Sequence, residues 1–255
     1  MMALKEAEFA HTELHADGFA LSTNYAGVYL GDSQYDDLMS YLDGIGAVIA
    51  VHPTAPSKMP EGVNLDVPIP AMEFMMDTTR TFMFMEMNNI FGRYPNIKWI
   101  FPHAGAFLAI LSDRINGFAV LMKHNRPDIP LDFKADMRHV YFDVAGFPLQ
   151  KQLHALLKDV KVENLLYGSD TPYTPNIACI ALSGGLESIS GLSEEDKNKL
   201  FTENAIRLIP RLADVLGIEV HGKSVCYRDM PLTTREKIGR GLRALVSKVY
   251  NRIFS

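Results

Sequence analysis

Five short apolar segments, each followed by a stretch with helical periodicity, limit what this 255-residue chain can fold into more than any other feature. They are residues 18–22 (GFALS), 47–52 (AVIAVH), 97–102 (IKWIFP), 139–144 (HVYFDV) and 164–168 (NLLYG). Each is rich in β-formers and runs nearly unbroken in apolar residues instead of alternating with polar ones. Helical spacing is found between them, at 3–15, 33–43, 72–92, 106–123, 148–158, 177–189 and 193–213. Strands apolar on both sides and separated by helices describe a parallel sheet covered by helices, an α/β protein. No low-complexity linker interrupts residues 1–215, which are read as one domain, with 216–255 as a C-terminal extension. In that extension, TREKIGRGLRALVSKVYNRIF (234–254) places Ile238, Leu242, Leu245, Val249 and Ile253 at three- and four-residue spacing among six basic residues. This predicts a basic amphipathic helix that packs on the body or on a second subunit, with a membrane surface as the alternative.

Composition narrows the class by exclusion. With 47% hydrophobic and 22% charged residues the chain can bury a full core, and a net charge of −5 argues against nucleic acid as a partner. Its two cysteines, Cys179 and Cys226, form no CxxC pattern, which excludes a thiolate zinc site and fits a reducing compartment. No apolar run approaches the ~20 residues needed to span a bilayer. The first residues, MMALKEAEFAHTELHADG, lack an apolar signal core. A cytoplasmic protein with no membrane partner is the expectation. The methionine-rich stretch MEFMMDTTRTFMFMEM (72–87) is read as an adaptable helix core.

Three of the strand segments end in residues suited to chemistry. Segment 47–52 ends in His52, segment 97–102 runs into His103, and segment 164–168 is followed by Ser169 and Asp170. Singly, each could be a cap. Together, at the carboxyl ends of parallel strands where ligands bind in α/β proteins, they suggest a shared site. Imidazoles with one carboxylate are the usual ligands of a catalytic divalent metal, which takes about three protein ligands and lowers the pKa of its water. A histidine left off the metal could act as general acid or base.

The motifs TNYAGVYLGD (23–32), VHPTAP (51–56), DTTRT (77–81), FGRYPNIKWIFPHAG (91–105), YGSDTPY (167–173) and ENAIRL (203–208) resemble the amidohydrolase-related family. Within it they are most similar to the metal-dependent, non-oxidative decarboxylases of the aminocarboxymuconate-semialdehyde and 6-methylsalicylate kind. The resemblance implies a (β/α)8 barrel of the TIM type with a divalent metal, zinc or manganese, at its C-terminal mouth. It implies that His52 is the metal ligand after the fifth strand. His103, after the sixth, would polarise the substrate or the metal's water. Asp170, after the eighth, would be both the last metal ligand and the proton-transfer carboxylate. Tyr25, Arg80 and Tyr173 would be substrate contacts. The implied activity is decarboxylation of a small aromatic or unsaturated carboxylic acid by a homo-oligomer, a dimer. Hydrolysis of an ester, lactone or amide is the enzymatic alternative, and a non-catalytic remnant of the family is the other.

One family signature is missing. The first strand of the family carries a His-x-His pair that binds the metal, and this sequence has none. The five strands therefore correspond to strands four to eight of an incomplete barrel, in a chain expected to start in the helix before strand four. With two of four ligands left, metal binding is expected to be severely weakened. His11 and His15 share a helix face, but HTELH lacks the HExxH order and reads as a surface pair. His124, His139, His154 and His221 carry no comparable signal. Of these, His139 is read as the start of its strand, at the end opposite the mouth.

Overall fold

The computed structural model describes residues 2–63, 66–125, 127, 131–149 and 151–217. In chain order the elements are α1 (Met2–Thr12), β1 (Phe19–Ser22), β2 (Asn24–Tyr25), β3 (Val28–Tyr29), α2 (Asp36–Gly44), β4 (Val48–His52), α3 (Ile69–Met87), α4 (Ile90–Arg93) and β5 (Lys98–Phe101). They continue with α5 (Leu108–Asn125), α6 (Phe133–His139), β6 (Tyr141–Asp143), α7 (Gln152–Leu156), β7 (Leu165–Leu166), α8 (Asn176–Ser188), α9 (Glu194–Asn198), α10 (Asn204–Leu208) and α11 (Arg211–Leu216). Among the described residues the main sheet has five strands in the order β1-β4-β5-β6-β7, every pair parallel. These are the five segments read from the sequence. β2 and β3 form a small antiparallel hairpin beside the end of β1. The extension from residue 218 onward, with its predicted amphipathic helix and His221, lies outside the described residues.

Because successive side chains in a strand point to opposite faces, the register sorts the sheet into two surfaces. One face presents Ile49, Val51, Trp99, Phe101, Phe142 and Leu165 to the helices, and all are buried. Its centre is aromatic. The Phe82 ring, from α3, lies 4.9 Å from Phe91, 5.1 Å from Phe101 and 5.6 Å from Phe133, centroid to centroid, within the range of favourable aromatic pairs. The other face carries Ala20, Ser22, Ala50, His52, Ile100, Tyr141 and Asp143. Toward β7 it is closed by Leu208 of α10 against Val48 and Leu166, with Ile100, Tyr141, Ala205 and Ile209 around them. Toward β1 it is open, and Ala20, Ala50 and His52 are exposed.

Four local differences from the sequence reading have clear causes. The helix expected at 72–92 begins earlier, at Ile69 with a proline in its first turn, and breaks after Met87 because Asn89 is left-handed. The element α6 was not anticipated, since seven residues are too few to show amphipathic periodicity; Asp132 caps it, accepting the Ala135 N–H at 3.1 Å. His139 consequently ends α6 instead of opening a strand, although it still lies far from the strand C-termini. The single helix expected at 193–213 is four pieces: α9 with a Ser193/Asp196 capping box, a π-helical turn at Lys199–Glu203, α10, and α11 after Pro210. The buried Asn204 at the head of α10 donates to the carbonyls of Val162 and Leu165, both at 2.7 Å, and so ties ENAIRL to the start of β7.

Candidate active site

All five strands run the same way, so their C-terminal ends make one rim. Along it stand Thr23 after β1, His52 ending β4, His103 after β5, Asp143 ending β6 and Asp170 after β7. The expectation that His52, His103 and Asp170 share one end of the sheet agrees with this order.

His52 is exposed, with its ring edge-on to Phe74 at 6.2 Å, and its carbonyl accepts the Thr23 N–H at 2.9 Å. His103 is set differently. It opens a turn in which four consecutive residues have positive φ: His103 (57°), Ala104 (51°), Gly105 (71°) and Ala106 (54°). Three of these are not glycine, and each such residue costs roughly 1–2 kcal/mol. The His103 backbone N–H donates to Asp143 Oδ1 at 3.0 Å, and the Ala145 N–H donates to the same oxygen at 3.0 Å. Gln152 Nε2 donates to the carbonyls of His103 and Ala106, at 2.5 and 2.8 Å. The His103 Nδ1 is buried and has no hydrogen-bond partner. Asp170 is left-handed too (φ 62°), and its Oδ2 accepts the Thr174 hydroxyl at 2.8 Å.

Asp143 sits between the two. Desolvation pushes its carboxyl above the usual carboxylate range and the Asp170 charge adds to this, whereas the Ala145 and His103 amides and the His103 imidazole pull the other way. Two glycines make room for Asp143 and for the neighbouring His103 ring. A Cβ at Gly168 would lie 3.1 Å from the Asp143 Cγ, and one at Gly146 would lie 2.8 Å from the His103 Cδ2. A third glycine is fixed by both space and conformation: at Gly105, with φ +71°, a Cβ would meet the Phe142 ring at 2.8 Å. Gly105→Ala is therefore expected to destabilise the fold by about 2–3 kcal/mol, measured as a shifted urea midpoint. A change of under half a kcal/mol would show that the turn adapts freely.

The remaining predicted contacts are less alike. Arg80 is half-exposed, and its Nη1 donates to Asp77 Oδ1 at 2.9 Å and to the Tyr29 hydroxyl at 3.2 Å. Asp77, completely buried, also accepts from the Thr23 hydroxyl, from Asn24 Nδ2 at 3.0 Å and from the Tyr29 hydroxyl at 2.6 Å. This network knits the hairpin motif to DTTRT beneath the rim, and leaves Arg80 as its exposed end. Tyr25 folds back on the end of β1, its hydroxyl accepting the Ser22 N–H at 3.0 Å. Tyr173 is 84% exposed and leans on nothing that would aim it into the site. His11 and His15 are at the surface as expected, His11 bonded to the Tyr41 hydroxyl at 3.0 Å.

Sequence reasoning missed Asp143, Gln152 and Asp77. Asp143 carried a usable signal, since it is the polar residue at the C-terminal end of HVYFDV, the criterion that selected His52. Gln152 and Asp77 lie in helices and gave no such signal.

Among the described residues, no three histidine, cysteine, aspartate or glutamate side chains come together as a group able to hold a metal ion. A catalytic zinc takes about three protein ligands, and the described residues alone do not supply such a group. Among the described residues no helix is long and apolar enough to cross a membrane.

A parallel sheet packed by helices, with histidines and carboxylates gathered on the C-terminal rim, has the layout of part of a (β/α)8 barrel. The chain belongs to the amidohydrolase family Amidohydro_2, whose pattern it matches over residues 2–211. It is 33% identical over 215 residues to a 6-methylsalicylic acid decarboxylase of Penicillium expansum, an alignment covering 84% of this chain and 66% of that protein. A crystal structure described as an amidohydrolase II superposes with a TM-score of 0.77 at 40% identity, over 82% of this chain and 66% of that one. The fold also matches a dihydroxybenzoic acid decarboxylase of Polaromonas sp. JS666, solved with bound manganese and 2-nitroresorcinol, at TM-score 0.71 and 20% identity over 83% of this chain and 66% of that one. The chain thus spans about two thirds of the length of the proteins it matches. The sheet is the corresponding part of an incomplete (β/α)8 barrel, with strands four to eight present.

Proposed function

We propose that this chain carries the strand-four-to-eight half of a carboxy-lyase site for small aromatic carboxylic acids. The observation that carries the reading is the joint presence, on one rim, of His52, His103 and Asp170 in a chain one-third identical to a 6-methylsalicylic acid decarboxylase. His103 orients and polarises the substrate, Asp170 passes the proton, and the half-exposed Arg80 supplies positive charge for a carboxylate or phenolate. A proton is added to the ring carbon bearing the carboxylate. The bond from that carbon to the carboxylate then breaks, its electron pair returns to the ring, and carbon dioxide leaves. Tyr25 and Tyr173 would be peripheral contacts, the latter only if its loop moves. His52 and Asp170 would face a divalent ion, zinc or manganese, from one side. Two residues fall short of the three or so protein ligands that a catalytic metal takes.

That shortfall favours one second reading, a non-catalytic member of the family. Full-length protein incubated with 6-methylsalicylic acid and manganese separates the two. Released carbon dioxide, lowered at least about a hundredfold by His103→Ala, is the expected result. Acid release from an ester or lactone without carbon dioxide would point to hydrolysis instead. Elemental analysis that finds no metal, together with no turnover, would establish the non-catalytic reading. The dimer and the cytoplasmic location stay part of this proposal, and size-exclusion chromatography with light scattering tests the first.

A further inference from the structure

We propose that Asp143 and Gln152 are positioning residues for His103, acting as two halves of a clamp on the left-handed turn 103–106. The inference rests on the reading of His103 as the residue that meets substrate, but its test does not need turnover. Left-handed backbone at three non-glycine residues is unfavourable, and such a turn persists only where its surroundings over-determine it. The two residues do so from opposite sides. Asp143 Oδ1 accepts the His103 N–H from the strand side, and shares that oxygen with the Ala145 N–H. Gln152, at the start of α7, uses one amide nitrogen to bond the first and last carbonyls of the turn, His103 and Ala106. The turn is thereby held at both ends by a single side chain. Phe107, the next residue, is pinned in turn by its N–H to the Thr79 hydroxyl at 3.1 Å.

The space around the imidazole follows the same design. Gly146 leaves no Cβ where the His103 ring lies, and Gly168 leaves none where the Asp143 carboxylate lies. His103 Nδ1, buried and without a partner, is held in place by the backbone beneath it and not by a hydrogen bond of its own. Removing either half of the clamp frees the turn to relax toward ordinary backbone, rotating the ring and uncovering Nδ1. For a catalytic group, a displacement on the order of 1 Å costs about a hundredfold in rate.

The test is the rate at which diethyl pyrocarbonate modifies His103 in the full chain, read by peptide mass and divided by the rates at His52 and His154 in the same molecules. Gln152→Glu removes both donors at nearly constant volume, and Asp143→Ala removes the acceptor. Each is expected to raise the relative His103 rate by at least about threefold through local opening. Asp143→Asn keeps an oxygen that can accept both N–H groups, and is expected to stay within about 1.5-fold of wild type. Unchanged relative rates in Gln152→Glu and Asp143→Ala would overturn the proposal. A rise shared equally by His52 and His154 would show lost fold instead of lost position, and overturns it as well. Where the chain turns over 6-methylsalicylic acid, the same two variants should lower kcat by about ten- to a hundredfold with KM nearly unchanged. Absence of turnover in the wild type removes the decarboxylase reading alone and leaves the reagent rates to decide the clamp.

Discussion

Glu86→Gln is expected to make the protein more stable, by a few kcal/mol at pH 8 and by almost nothing near pH 4.5. Glu86 sits on the inner side of α3, 3% exposed, and neither carboxyl oxygen has a hydrogen-bond partner. It lines an apolar groove of about 350 Å³ between α3 and α5, with Met83, Met87, Leu111 and Phe118 among its neighbours. Burial, then the charges of Asp136 and Asp132, push its carboxyl up to about 8, against an ordinary value of 4.5. The sign follows directly. Between pH 4.5 and 8 the unfolded chain has released this proton and the folded chain still holds it, so stability falls as pH rises through that window. Above it the whole penalty is present. Glutamine cannot ionise and removes the slope. Melting curves at pH 5 and 8 should show the variant ahead by about 5–10 °C at the higher pH and level at the lower. A gap independent of pH would mean that the wild-type side chain finds water or a partner when it ionises.

Asp77→Ala should have the largest opposite effect, a loss of about 3–5 kcal/mol. The Asp77 carboxylate is fully buried and accepts from four groups, Thr23, Asn24, Tyr29 and Arg80. Without it the Tyr29 hydroxyl loses its acceptor, Thr23 and Asn24 keep their bonds to Thr54 and Ala55, and Arg80 loses its counter-charge. Asp77→Asn keeps the shape but can accept with only one oxygen and sets an amide against donors, so it should fall between wild type and alanine. Chemical denaturation checks both. Equal stability of Asp77→Asn and wild type would show that hydrogen-bond shape, and not charge, is what the network requires. Because the Asp77 network holds Arg80 and abuts the rim at Thr23, the same variants are expected to weaken any binding of aromatic acids that uses Arg80.

Much of this architecture was legible because its signal is local. Near-continuous apolar runs such as AVIAV are short enough and rich enough in β-branched residues to read as strands of a helix-covered sheet, although Ala50 of this run is exposed in the fold, and the helical stretches between them favour the parallel arrangement. The rim residues were legible for a related reason: a polar residue at the end of an apolar strand is out of place unless it is used. What escaped was non-local or too short. The seven residues of α6 carry less than two turns of periodicity, and the break at Asn89 depends on a left-handed backbone that many sequences containing Asn do not adopt. Asp77 stood out only as the first residue of the DTTRT motif and its structural role did not show, because its four partners lie one turn away or about fifty residues distant. Gln152 reads as a surface helix residue until the carbonyls of 103 and 106 are seen beneath it.

The sequence by itself determined the strands, their direction and three of the residues on the rim, His52, His103 and Asp170, since hydrophobic periodicity and strand-end polarity are properties of neighbours along the chain. Only the tertiary structure decided how those residues stand to one another. It placed Asp143 between His103 and Asp170, bent His103 through a left-handed turn held from both sides, and left His52 on an open part of the sheet with no third ligand beside it among the described residues. Those outcomes depend on register, packing and buried polar pairing across about 30 to 60 residues of separation. Such relations are fixed by the geometry of the folded core and leave no pattern within any single stretch of sequence.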